Sequence, residues 1–377
     1  MDKKFVMGIA AMAALTLVSC SSDDLDSFSD NSSKNEAISF DGYLGRSAVA
    51  VNGSRGSVET VTTLKTNGFG VFSKYTSTEE GQASFPDFAN QQVTYKYSKW
   101  TYSPIKYWPT TNGHIDFYAY APYDSKQKKL IDNSKLVFEV NPTVTEQKDL
   151  LWSRVKAQIN TPITNTNNKV KFQFAHALSR LGYTIKLHET YPSATFTLNK
   201  ITLAGSPDET KKAFYKKGII DLSTVKNAPT DDAPTGLWNT SLSDNKQNLN
   251  WVSGGTIKVE NTDSEHPQSN DPNNYLFVIP QDFSKDKTTE NPNVDELYVI
   301  VKYTIDYGAG VKQENTVYKQ IKKHFLQGKA YMLNLTIGLP IEFDVDLTEG
   351  VGVDGWGKED GIDIGSGSND NLWDGIE

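Results

Sequence analysis

The chain reads as an all-β protein of two β-sandwich domains in tandem with few helices, and three observations carry that reading. Hydrophobic residues are only 37% of the 377, yet 11% are aromatic, a mix that suits sheets with one wet face better than helical bundles. Apolar residues alternate at period two in one segment after another, with turn residues between them. Helical signals are thin, and the best of them, Asp208 to Lys217, suits one or two turns. The length suggests two domains, each able to bury a core. A single cysteine leaves no internal disulfide, so stability must come from burial and strand pairing.

Residues 1–19 read as a signal peptide. Lys3 and Lys4 precede an apolar run from Phe5 to Val18, too short to span a bilayer as a helix. Leu17-Val18-Ser19-Cys20 matches the box read by the bacterial lipoprotein signal peptidase. Cys20 is therefore the expected lipidation site, with its sulfur in a thioether to diacylglycerol and its amine acylated. An ordinary signal peptide that ends near a cysteine is the alternative. Residues 20–36 are rich in Ser, Asp and Asn and read as a disordered tether. Asp23-Asp24 resembles a sorting signal for the outer face of the outer membrane. The formal charge is −8, or −9 once Asp2, Lys3 and Lys4 leave with the signal, so nothing in it invites a nucleic-acid partner, and none is expected.

The first domain is expected over 37–167. Ile38-Ser39-Phe40-Asp41-Gly42 opens a strand. Arg46 and Arg55 follow among small residues, either as accessible protease sites or as solvated loop arginines. A further strand is expected from Val58, and another at Phe69-Gly70-Val71-Phe72. Tyr95, Tyr97, Trp100, Tyr102, Tyr107 and Trp108 are expected to fill the core rather than stack on sugars. Ile115 to Ala121 alternates cleanly and stops at Pro122, and Leu136, Phe138 and Val140 form the next strand.

Polar residues from Asn160 to Asn168 suit a linker, so the second domain is expected over 168–356. Val170 to Leu178 and Leu181 to Leu187 have opposite parity, which calls for a bulge or a helical turn near Ser179-Arg180. His176, on the apolar side, reads as a satisfied core histidine. Later strands are Ala194 to Leu203, Leu276 to Ile279, Leu297 to Ile305 and Tyr331 to Ile337, with long loops from Ser223 to Asn274. Ile341, Phe343, Val345 and Leu347 face one way, and Val351 and Val353 keep that parity. Residues 357–377 are a polar tail.

Motifs for common chemistries are missing: no Gly-rich phosphate loop, G-x-S-x-G, H-E-x-x-H or paired cysteines. The five histidines are scattered, so no cofactor, metal site or catalytic residue is assigned, and the chain reads as a non-enzyme. An enzyme would need two carboxylates converging in a cleft. Trp100, Trp108, Trp238 and Trp251 support a competing reading, a monomeric glycan-binding lipoprotein of the outer membrane.

Five stretches together resemble the fimbrillin-like family, lipoprotein precursors of type V pili in Gram-negative anaerobes. They are the box at Cys20; Trp108-Pro109 with Ile115-Asp116-Phe117-Tyr118-Ala119-Tyr120-Ala121-Pro122; Phe174-Ala175-His176-Ala177-Leu178-Ser179-Arg180; Phe277-Val278-Ile279-Pro280-Gln281; and Gln327 to Leu335. The resemblance implies two transthyretin-like sandwiches and a fimbrial subunit, structural or adhesive. It implies a precursor lipid-anchored in the outer membrane, then cleavage after an arginine and a place in a cell-surface fimbrium. Arg55 is preferred for the cut and Arg46 is second. Loss of the first strand would open an apolar groove for a strand from another pilin subunit. The implied donor strand carries Ile341, Phe343, Val345, Leu347, Val351 and Val353. A host or bacterial surface ligand is a further partner that the resemblance allows.

Overall fold

The strand at the centre of the first half, Gly113–Ala121, has no wet face. Ile115, Phe117 and Ala119 are buried on one side, and Tyr118 and Tyr120 on the other. The computed structural model describes residues 37–44, 59, 61–77, 88–109, 113–127, 134–158, 169–224, 238–240, 245–260, 275–338 and 342–349. Cys20, Arg46, Arg55, the tether, the 160–168 linker and the 357–377 tail lie outside them.

The first half contains β1 (Ser39–Leu44), α1 (Val61–Asn67), β2 (Phe69–Ser77), β3 (Gln91–Lys96), β4 (Lys99–Thr101) and β5 (Gly113–Ala121). It continues with β6 (Lys135–Glu139), β7 (Leu151–Gln158) and β8 (Lys169–His176). Then come β9 (Ser179–Leu187), β10 (Thr195–Ala204), β11 (Phe214–Tyr215), β12 (Lys217–Asp221), β13 (Trp238–Asn239), β14 (Lys246–Gln247) and β15 (Leu249–Val259). The last are β16 (Leu276–Val278), β17 (Gln281–Asp282), β18 (Tyr298–Asp306), β19 (Lys312–Gln320), β20 (His324–Phe325), β21 (Ala330–Gly338) and β22 (Glu342–Glu349). Strands dominate and α1 is the one α-helix among the described residues, so the all-β expectation holds.

Seven strands pair in the order β1-β8-β7-β5-β2-β3-β4. Two four-stranded sheets, β15-β10-β18-β19 and β16-β9-β21-β22, make up most of the second half. A small sheet, β13-β12-β6, draws a strand from the first half and two from the second. Three apolar clusters match these sheets. One is aromatic and holds Phe40, Phe69, Phe88, Phe117, Phe172 and Phe174. Another, around Tyr183, Phe196, Trp251, Tyr303, Leu333 and Val345, lies in the second half apart from Val144. The third joins Tyr118, Tyr120 and Trp152 to Leu178, Phe277 and Ile279, and so takes up the second face of β5. From Glu36 onward the chain clusters as one compact unit.

Several local expectations are corrected. The region from Val58 carries α1 rather than a strand: Leu64 is its buried residue, and Gly68, at φ 69°, ends it by donating N–H to Leu64 O at 2.9 Å. Val61, Thr62 and Thr63 are β-branched and weak helix formers, and packing of Leu64 overrides that preference. No helix forms over 208–217; Ser206, Asp208 and Thr210 hold a turn there, through Asp208 Oδ1 accepting from Thr210 N–H at 3.1 Å. The parity slip near Ser179 is a change of sheet, since β8 ends at His176 and β9 starts at Ser179 in another sheet. β8, which the expected boundary at 167/168 assigns to the second domain, pairs with β1 and β7. Within Ser223–Asn274, expected as loops, β15 runs for eleven residues with Leu249, Trp251 and Val259 buried. Its pairing with β10 shifts register twice, which breaks the simple alternation a sequence would show.

Candidate functional site

The first strand and the groove beneath it are the candidate site. β1 lies at the edge of the seven-stranded sheet and pairs parallel with β8, from Ser39 opposite Lys169 to Leu44 opposite Phe174. Parallel pairing needs a long connection, and here the partners are far apart in sequence. Alternation sends Ile38, Phe40 and Gly42 inward. Ile38 and Phe40 are buried, and the ring of Phe40 sits 5.2–5.8 Å from those of Tyr102, Phe88, Phe172 and Phe117. Aromatic contacts of this kind add to the large area each ring removes from water.

The other side of the strand is also held. Ile38 N–H donates to Lys106 O at 2.8 Å, and the Tyr102 hydroxyl donates to Ile38 O at 2.7 Å. Ala37 forms an antiparallel bridge with Tyr107. The groove is therefore floored by rings and walled by backbone on both sides. At its far end space is short. A Cβ on Gly42 would meet ring carbons of Phe174 and Phe69, each at 3.2 Å.

Downstream of residues 45–58, the chain is anchored independently of β1. Glu59 N–H donates to Asp149 Oδ2 at 3.1 Å, and the same oxygen lies 2.7 Å from His176 Nδ1. Asn67 Nδ2 donates to Glu59 Oε1 at 2.9 Å. Burial, and then the neighbouring charge of Asp149, push the Glu59 carboxyl up to about 7. His176 is a satisfied core histidine as expected, but its partner Asp149 was not legible in the sequence. Nothing in the local pattern around Asp149 announces a contact with a residue 27 positions away. Glu59, Asp149 and His176 thus fasten the start of α1 to the end of β8, while β1 is joined to that anchor only through 45–58.

The four arginines of the chain divide sharply. Arg154 Nη2 donates to Asp116 Oδ1 at 3.1 Å and Nη1 to Ser223 O at 2.7 Å, with its side chain 16% exposed. Arg180 is buried in β9 with its guanidinium 4.5 Å from the ring centre of Tyr275. Arg46 and Arg55 fall outside the described residues.

Of the implied donor residues, Phe343, Val345 and Leu347 lie in β22, which pairs antiparallel with β21 across eight positions. Val345 is fully buried in the core of the second half. Ile341, Val351 and Val353 lie outside the described residues. The aromatics mostly fill cores: Trp108 and Trp251 are buried, and Trp100 and Trp238 are half-buried against apolar clusters. Tyr97 and Tyr107 are the exceptions and stand exposed. The four tryptophans proposed for glycan stacking therefore offer no exposed pair. Among the described residues no helix is long and apolar enough to cross a membrane, and no group of three His, Cys, Asp or Glu is placed to hold a metal.

A curated relative, the fimbrium subunit Fim1C of Phocaeicola vulgatus, is 32% identical over 198 residues, covering 46% of this chain and 49% of that protein. The chain thus spans about half the length of the curated relative it matches. Among solved structures, a fimbrial protein from Bacteroides vulgatus superposes with a TM-score of 0.52 at 20% identity, covering 84% of this chain and 99% of that one, which shows a shared fold. The fimbrillin-like family profile matches residues 57–356, most of the length. This chain belongs to the fimbrillin-like family.

Proposed function

We propose that this protein is a structural or adhesive subunit of cell-surface fimbriae, made as an outer-membrane precursor lipid-anchored at Cys20. It matures by cleavage after Arg55 or Arg46 and assembles with other subunits by strand addition. Its described residues divide functionally into an N-terminal sandwich that receives a strand and a C-terminal sandwich that leads into the donor. No chemistry on a substrate is required of it.

The observation that carries this reading is β1 itself. It is an edge strand whose inward residues fill an aromatic groove, and only residues 45–58, which hold Arg46 and Arg55, connect it to the anchored start of α1. A cut there turns an intramolecular strand into a separate peptide, which then dissociates at a rate set by its few contacts. The vacated groove exposes unpaired backbone and apolar rings, the two features that recruit an added strand.

Limited digestion with an arginine-specific protease tests the reading, because Arg154 and Arg180 are engaged within the fold. One cut at Arg46 or Arg55, read by mass, followed by heat-labile multimers on a native gel, is the expected result. Resistance at both arginines would overturn the maturation step.

A further inference from the structure

The large apolar side chains that stand exposed among the described residues fall in two places. Tyr307 and Val311 sit on the turn between β18 and β19, beside the ion pair of Asp306 and Lys312. Val61, Tyr97, Ile105 and Tyr107 belong to α1, to the β3–β4 hairpin and to the loop that follows it.

The tip of that hairpin is built against the rules for a tight turn. Tyr97 and Ser98 have φ of 51° and 62°, the left-handed region that such turns normally give to Asn and Gly, and Tyr97 is 94% exposed. Lys96 and Lys99 lie opposite each other across the two strands, a like-charge pair that opposes pairing. A bulky ring in strained backbone, set between two ammonium groups, weakens the turn, so its use lies outside the fold.

The charge around it is one-sided. Residues 88–109 contain Lys96, Lys99 and Lys106 and no Asp or Glu. The elements packed on the hairpin add Lys74 from β2, Lys65 from α1 and Asp41 from β1. Lysines thus dominate here, in a chain whose formal charge is −8. Exposed Tyr and Ile among lysines are the chemistry of a membrane–water interface with anionic head groups. The described residues also begin at this place, since Ala37 bridges to Tyr107. Fully extended, residues 20–36 would reach about 60 Å at most, so an anchor at Cys20 keeps a bilayer within range of this side.

Resting on the lipid-anchored reading above, we infer that the β3–β4 hairpin and the 102–107 loop of the precursor lie on an anionic lipid surface. Tyr97 enters the head-group layer, with Lys96 and Lys99 on its phosphates. Ile105 and Tyr107 hold the end where the chain arrives from Cys20. Anchoring makes so small a contact sufficient, because the bilayer is then at high local concentration. The turn between β18 and β19 lacks the lysine cluster and stays in water.

The test uses the lipidated precursor in vesicles of phosphatidylethanolamine and phosphatidylglycerol. Cys20 is the only cysteine and its sulfur carries the lipid, so Ser98→Cys or Val311→Cys supplies a single free thiol for an environment-sensitive dye. The expected result is a blue shift at position 98 and none at 311, with the shift at 98 lost in high salt or in phosphatidylcholine alone. Lys96→Ala with Lys99→Ala should lower the equilibrium for contact about thirty-fold. Tyr97→Gly should weaken contact while leaving the urea midpoint unchanged or raised, because glycine relieves the turn. A lower midpoint would make the ring a structural part and overturn the proposal. So would a water-like label at 98 on a protein whose lipid is confirmed by mass, and the anchor would then stand. Equal shifts at 98 and 311 would show unspecific adsorption, and a shift that grows with protein concentration without vesicles would show a second copy on the tip; either overturns it. A Cys20 found without lipid, read by mass and by a second reactive thiol, would remove the anchored reading and this surface with it.

Discussion

β1 and β22 are sheet-edge strands that share the pattern Phe-Asp-x-x-Leu, and the fold holds them in opposite ways. β22 follows β21 after three residues and pairs with it antiparallel over eight positions. Such a neighbour closes a short loop at little entropic cost and keeps its partner covalently close whatever happens elsewhere. β1 pairs parallel over six positions with β8, across more than a hundred residues of intervening chain. Its hold rests on Ile38 and Phe40 as much as on backbone pairing. A cut within 45–58 makes β1 a separate molecule but leaves β22 untouched. Removability is therefore a property of where the chain can be opened, since both strands bury apolar side chains.

The sharpest way to break this comparison is Phe40→Ala. In the uncut chain it should cost about 3–5 kcal/mol by urea unfolding, the range for emptying a buried aromatic site. After cleavage and release of β1, variant and wild type should unfold alike; a surviving difference would mean that β1 is not removed.

Next in size is the anchor. The Glu59 carboxyl rises from 4.5 to about 7 in the fold, so the native state binds the extra proton across that window. Its contribution is fully present below pH 4.5 and is lost as pH rises through about 7, on the order of 3 kcal/mol. Glu59→Gln should flatten that slope in pH-dependent unfolding and leave the variant more stable than wild type above pH 7. An unchanged slope would assign the pH dependence to another group.

Val345→Ala probes β22 and should cost about 2 kcal/mol, equally before and after cleavage. A cost that vanished on cleavage would mean that β22 leaves its sheet. The smallest effect belongs to Gly42→Ala, about 1 kcal/mol in the uncut chain, because the Phe69 and Phe174 rings must yield a few tenths of an ångström. Stabilisation by that change in a denaturant titration would show the end of the groove to be open.

Strong alternation made much of the sheet framework readable before any coordinates. The strands of β5, β10, β18 and β21 lie where Ile115, Leu198, Val301 and Leu335 and their period-two neighbours placed them. β19 was missed because it is wet on most of its length: Val317 and Asn315 are its buried residues, and its register comes from β18. An edge strand ordered by backbone pairing carries little apolar signal. The candidate site was partly legible, since Ile38, Phe40 and the two arginines stood out. Its groove was not, because the walls come from Phe88, Tyr102, Phe117 and Phe172, which no local pattern groups together.

From sequence alone came the all-β class, the family, the paired arginines near the first strand and the amphipathic strand near the end. These depend on local periodicity and residue chemistry, which neighbouring positions express. Tertiary structure alone decided that β1 lies parallel to β8, that Glu59 is fastened to Asp149 and His176, and that the groove closes at Gly42. Each of these is a contact between residues distant along the chain, set by which surfaces the folded sheets bring within a few ångströms.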